Sequence, residues 1–586
     1  MNKIILISFL LLISKSKNFK CGYNEIKKPK IKIKNKSKIN ETNRILDNST
    51  HEIRIEIVTS ILETQLSNNE ISEDYYSNIT LALNKTISYL EKLINTTGIN
   101  FYSISEEYFD EENDYILRNE LKNEYKINRF CDLILIPKTY FLGFEISAAA
   151  YAIAIDDLNN RPFLGAILLG YFYDFSQLNS QEYLIMLLLH EITHILGFSN
   201  ILYDYYINNS TKIIVKNNKI LFHGENVIKK AKKHFNCDLI EGIELENQGS
   251  SGSYGVHWDS RIMLTDYMIA IDYPDIVISD ITLGLLEDTG WYTVNYYTGG
   301  LFRFGKNEGC EFLNSKCIDN GYNKFNKDFC IRNNIERCTS SYLSRGYCEI
   351  NEYDSEIDKE FQYFKNPSLG GFYYANYCPV IIYYDYYYFN SRCDLNSLYN
   401  NNYPYFLGEK FSEKSICFLS SLVPNFYNES NYNYKRTMCY EIECNFDNKN
   451  FIVKIGDDKI ICSGKYENIT VDGYNGFIIC PNFNRVCTGS VYCNNALNCI
   501  DKKSVLIDYE SNNDEGKIED EDDYEIIEKY FIEEEEEYQI EQIEEEENKE
   551  NNNENIENDD FDIIFLSHSN ISIQILVFII YVICLI

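Results

Sequence analysis

The sequence predicts an α+β protein: a mixed twisted sheet with one long buried helix, followed by a disulfide-rich, loop-dominated C-terminal region. Three observations predict it. Before residue 200, short apolar runs bounded by Pro or Gly alternate with segments of helical spacing. One strongly apolar helix in that stretch carries signals at both of its ends. After about residue 300 cysteines recur every five to thirty residues among Tyr- and Asn-rich segments. A chain of 586 residues exceeds what one hydrophobic core serves, so several units are expected.

Taken in order, Lys3 followed by the apolar run 4–13 and Ser14-Lys15-Ser16 reads as a secretory signal peptide, residues 1–16. Residues 17–49 are Lys- and Asn-rich, with too little apolar content to pack by themselves, and read as a flexible leader or propeptide. Residues 52–60 alternate as a half-buried strand, and residues 79–93 carry helical spacing at Leu83, Ile87, Leu90 and Leu93. The runs 131–137 and 165–171 fit buried strands. Asn179 and Glu182 supply a capping box, apolar residues fill 184–196, and Gly197 sits where a helix ends. The expected divisions are an N-terminal subdomain at 50–200, a central one at 201–300 and a cysteine-rich domain at 301–505. An acidic low-complexity stalk follows at 506–562 and a hydrophobic segment at 563–586.

Charge and cysteine usage bound the function. The formal net charge is -35, but residues 508–562 hold 27 acidic and 3 basic side chains, leaving the rest only mildly acidic. No general basic footprint for nucleic acid results. The 19 cysteines fit an oxidising compartment. Sequons at Asn78, Asn84, Asn95, Asn428 and Asn468 fit a glycoprotein. The last segment suits either a membrane span or a glycolipid-anchor signal, and both place the protein at the cell surface, facing outward.

The chemistry concentrates in His190-Glu191-Ile192-Thr193-His194. On a helix, four-residue spacing puts both imidazoles on one face, which is metal-ligand geometry. Catalytic zinc needs a third ligand and an open position. The extension HExxHxxGxxH would place that ligand at position 200, which is Asn200, although the turn glycine is present as Gly197. His223 and His234 lie in the Lys-rich stretch HGENVIKKAKKH and read as surface residues of an exposed helix. His257 is followed at eleven residues by Met268, in HWDSRIMLTDYM, and is the choice for third ligand. A methionine at that place would form the apolar floor beneath a metal.

Together these motifs resemble the leishmanolysin family of zinc metalloendopeptidases. The 62 residues between His194 and His257 match the insertion its members carry, and HEITHILGFS, LGLLEDTGWY, RPFLGAI, GCEFL and RGYC look like family blocks in family order. The resemblance implies a zincin-like, metzincin-like catalytic domain, one Zn²⁺ per chain and endopeptidase activity on proteins or peptides. Ligand roles carry over to His190, His194 and His257, the base role to Glu191 and the Met-turn role to Met268. It also implies a propeptide cysteine that closes the metal's open position. Cys21, in FKCGYNE, is the candidate switch, but the histidines that flank this cysteine in the family are absent, so a disulfide to Cys131 or a neighbour is the other reading.

The expected mechanism uses zinc-bound water as nucleophile and Glu191 as general base. The alternative is a surface adhesin or receptor acting through its cysteine-rich domain, with a vestigial zinc site. Oligomeric state is not legible.

Overall fold

The first sheet shows how the chain builds its N-terminal half. In the computed structural model, residues between Cys21 and Cys487 are described, apart from several stretches, the longest being 22–30, 34–44, 110–116, 118–127, 171–180, 248–254, 383–391, 395–407 and 427–435. The segments 1–16, 506–562 and 563–586, Asn179 and Asn428 lie outside the described residues, as does the side chain of Glu182. All described residues belong to one unit, 1–516.

Five strands form a mixed sheet: β1 (Lys32–Ile33), β2 (Ile55–Ile57), β3 (Leu133–Tyr140), β4 (Ala148–Ile155) and β5 (Pro162–Gly170). Their order across the sheet is β1-β4-β5-β3-β2. β2, β3 and β5 run parallel, β4 runs antiparallel to β5, and β1 lies parallel to β4. Every residue of β4 and β5 is buried, the near-continuous apolar pattern of strands covered on both faces. The apolar runs expected as strands are β3 and β5. β4, AAAYAIAI, carries no strand signal of its own, because alanine has little β preference and burial alone selects it.

Three helices precede or cover this sheet: α1 (Ser60–Ser67), α2 (Glu73–Leu93) and α3 (Gln181–Leu196). α2 starts six residues before the expected 79, since the Ser72 hydroxyl accepts from the Tyr75 amide at 3.1 Å and Glu73 and Asp74 suit a helix N-terminus. α3 lies directly against β5. A Cβ on Gly165 would fall 2.6 Å from Ile195 Cγ2, so glycine is what lets the helix approach the strand so closely.

The leader is not separate from the fold. Lys32 and Ile33 pair with Ala154 and Ile155, Cys21 forms a parallel bridge with Ala148, and the strand Ile45–Glu52 pairs with Ile94–Ile99. The expectation that the fold begins after residue 49 is therefore corrected. The leader's composition does forbid a core of its own, but adding a strand to an existing edge needs mainly backbone hydrogen bonds, and Ile31-Lys32-Ile33 has the required alternation.

Beyond residue 300 long loops predominate, held by disulfides Cys237–Cys310, Cys317–Cys378, Cys330–Cys348, Cys338–Cys417, Cys393–Cys439, Cys444–Cys487 and Cys462–Cys480. Within this region a six-stranded antiparallel sheet spans Ser415–Ser420 to Ile478–Cys480. It encloses its own core of Phe418, Met438, Tyr440, Phe451 and Val453. The main core gathers residues from Cys21 to Val380 around the first sheet and α3.

Candidate metal centre

Helix α3 presents His190 and His194 one turn apart, and both are buried. His257 arrives from a separate segment pinned on both sides: its carbonyl accepts from the Glu246 amide at 2.8 Å, and the next amide, Trp258, donates to the Met268 carbonyl at 3.0 Å. The three rings converge, with centroids 4.8, 4.9 and 5.2 Å apart. Cys21 joins them. Ligand atoms of Cys21, His190, His194 and His257 all lie within 4.8 Å of one another, and all four residues are buried. Cys21 thus enters this cluster rather than a disulfide with Cys131.

Hydrogen bonds fix the orientation of the helix imidazoles. Nδ1 of His190 donates to the Tyr267 carbonyl at 2.6 Å, and Nδ1 of His194 donates to the Phe198 carbonyl at 2.8 Å. A carbonyl only accepts, so both protons sit on Nδ1 and each neutral ring turns an Nε2 lone pair inward. Burial lowers the His190 pKa to about 4, so the ring is neutral near pH 7. The two Nε2 atoms face each other at 3.2 Å. Lone pairs so placed repel in a buried site unless a cation lies between them.

The spacing also fits. Tetrahedral Zn²⁺ with Zn–N of ~2.05 Å and Zn–S of ~2.3 Å sets its nitrogens ~3.3 Å apart and nitrogen and sulfur ~3.6 Å apart. The Nε2 pair lies at 3.2 Å and Cys21 Sγ at 3.4 Å from His194 Nε2. Three imidazoles and a thiol therefore match the number, type and separation of donors for one zinc ion.

Glu191 follows the first ring on the same helix and is fully buried. Burial raises its carboxyl to about 8, opposed by hydrogen bonding from the Cys21 side chain and the Ala150 backbone. Met268 is buried in a tight turn whose amide donates to Asp266 Oδ1 at 2.7 Å. Asp266 Oδ2 accepts from the Thr282 hydroxyl at 2.7 Å, which in turn accepts from Trp258 Nε1 at 2.7 Å. The Tyr267 hydroxyl meets Thr193 Oγ1 at 2.9 Å. This chain of bonds joins the methionine turn, the residue after His257 and the α3 helix.

Sequence reasoning did not single out Asp266, Tyr267 or Phe198. Asp266 had a signal: an aspartate two residues before Met268 is an Asx-turn pattern. The carbonyls of Tyr267 and Phe198 had none, because any residue supplies one. His223 and His234 lie away from the cluster. Nδ1 of His223 donates to the Glu241 carbonyl at 2.6 Å, and Nε2 of His234, on helix α4 (Glu225–Phe235), donates to the Phe304 carbonyl at 2.8 Å.

Comparison with known proteins agrees with this geometry. The family model for leishmanolysin matches residues 132–493. A leishmanolysin homolog from Crithidia fasciculata is 29% identical over 318 residues, covering 52% of this chain and 47% of the relative. Leishmanolysin of Leishmania tropica is 28% identical over 316 residues, with 52% and 47% coverage. A leishmanolysin-like peptidase from Caenorhabditis elegans is 29% identical over 308 residues, 45% of each chain. The chain spans about half the length of the curated relatives it matches. With more than half of its length matched by the family model, around a helix that carries HExxH, the chain belongs to the leishmanolysin family.

Proposed function

We propose that the protein is a zinc-dependent endopeptidase that cleaves proteins or peptides outside the cell, with His190, His194 and His257 as ligands and Glu191 as general base. The observation that carries this reading is the buried convergence of three imidazoles around paired inward lone pairs, with a carboxylate one residue from the first ring. A bound zinc ion supplies Lewis-acid polarisation of a carbonyl and acidifies water. Glu191, on the same helix as two ligands, takes the proton from the attacking water and returns it to the leaving amine. Tyr267 and Phe198 hold the helix imidazoles in the tautomer that coordinates, and Asp266 holds the Met268 amide in the turn that carries the Tyr267 carbonyl.

In the leader-bound form Cys21 would hold the metal together with the three imidazoles, so that form would be latent and leader removal would activate it. Its approach to His194 and its bridge to Ala148 support this assignment. The hydrophobic segment 563–586 tethers the protein at the cell surface.

Metal analysis and peptide cleavage on the leader-free wild type, Glu191→Gln and His257→Ala test the reading. Glu191→Gln should keep one equivalent of zinc and lose about 10²- to 10⁴-fold in rate. His257→Ala should lose the zinc. Retained cleavage in Glu191→Gln, or unchanged metal content in His257→Ala, overturns it.

A further inference from the structure

The Lys-rich segment HGENVIKKAKKH takes no part in the metal centre. Its helix α4 buries Val227, Ala231 and Phe235, while Lys229 and Lys233 are exposed and Lys232 is half-buried. These three lysines stand at i, i+3 and i+4, one cluster on one helix face, about 6 Å from end to end along the axis. Like charges so spaced destabilise a helix. Lys230 is engaged elsewhere, with Nζ 3.5 Å from Asp280 Oδ2 and 3.3 Å from the centroid of the Tyr296 ring. Among the described residues neither Lys229 nor Lys232 forms an ion pair.

The surroundings hold this cluster rigidly. Asp288 accepts the Asn226 and Val227 amides at 2.9 and 3.0 Å, capping the helix from a separate segment. A side chain on Gly224 would collide with that carboxylate. Asn236 closes the C-terminus in the left-handed conformation, and Cys237, the next residue, is disulfide-bonded to Cys310. Four lysines against one glutamate on an 11-residue helix also contrast with the net acidity of the chain.

We infer that the Lys229, Lys232 and Lys233 face of α4 is a docking surface for a linear sulfated polysaccharide. The pattern IKKAKKH sets two lysine pairs around one small residue, a density of charge that complements a polyanion. The seven disulfides among the described residues fit an oxidising compartment, where such chains occur and the cytoplasmic leaflet's anionic lipids are absent. The helix face has no aromatic side chain to stack bases and no exposed apolar side chain to enter a bilayer. Binding here adds anchorage or substrate targeting to the activity proposed above and does not depend on that activity.

Retention of the full-length chain on immobilised heparin under a salt gradient tests the inference. The wild type should be retained with a log–log salt slope of about 2 to 3, and the triple variant Lys229→Gln, Lys232→Gln, Lys233→Gln should bind at least about tenfold more weakly. Its melting temperature should match the wild type, as should its cleavage of an uncharged peptide after leader removal. A variant on the separate strand Lys212–Lys216, which pairs antiparallel with Lys219–His223, carrying Lys212→Gln and Lys216→Gln, should keep heparin binding, which separates position from bulk charge. Equal retention of the triple variant, equal retention on desulfated heparin, or tighter binding to phosphatidylserine vesicles or single-stranded DNA overturns the inference.

Discussion

Two imidazole nitrogens held 3.2 Å apart by carbonyl-anchored rings set the demand for a cation, and the residues behind them determine how well it is met. Asp266 touches no ligand ring, yet its carboxylate holds the Met268 amide and the Thr282 hydroxyl, and the preceding turn carries the Tyr267 carbonyl that orients His190. Asp266→Ala should weaken zinc binding by about 10- to 100-fold, read by chelator competition, while the protein stays folded by circular dichroism. Cys21→Ser should give a full-length chain that cleaves peptide without leader removal; continued latency would remove Cys21 from the inhibitory role. The two helix histidines, the glutamate and His257 were legible because their side chains follow a spacing rule. The engagement of Cys21 was not, since FKCGYNE lacks the flanking histidines and pairing with Cys131 reads equally well from residue type alone.

At the scale of elements, α3 was the most legible because its apolar run, capping pattern and terminal glycine agree. What the pattern did not show is how near the helix sits to β5. Gly165→Ala would force Ile195, one residue beyond His194, to move, and should cost about 1–3 kcal/mol in thermal or denaturant unfolding. Asp288→Ala should cost about 0.5–2 kcal/mol and loosen amide exchange in the first turn of α4, because that helix has glycine rather than a polar side chain at its own N-cap. Neither the Asp288 cap nor strand β4 was readable. The cap comes from about sixty residues away, and an alanine-rich strand is chosen by the sheet that surrounds it.

For the whole molecule, the disulfide-rich region supports the segment that carries His257. Asn376, two residues before Cys378, donates to both carboxylate oxygens of Asp259 at 3.3 and 3.1 Å, and Asp259 lies two residues after His257. Replacing Cys317 and Cys378 together by Ala should lower stability by about 4 kcal/mol on loop-entropy grounds, given a sequence separation of 61. Zinc affinity should fall alongside stability; unchanged affinity would separate the two halves. The cysteine spacing announced a stapled region, but connectivity and the six-stranded sheet inside it depend on contacts distant in sequence, which no local pattern encodes.

The strand that residues 32–33 add to the first sheet would give the proposed activation a direction. While the peptide link to the rest of the chain is intact, the Cys21 segment is supplied at the effective concentration of a tether, far above that of any free thiol. Once that link is cut and the fragment departs, its return is bimolecular and dilution opposes it. For the latent form proposed above, a single backbone scission would commit each molecule, and control would lie in when the cut is made rather than in any later rebinding.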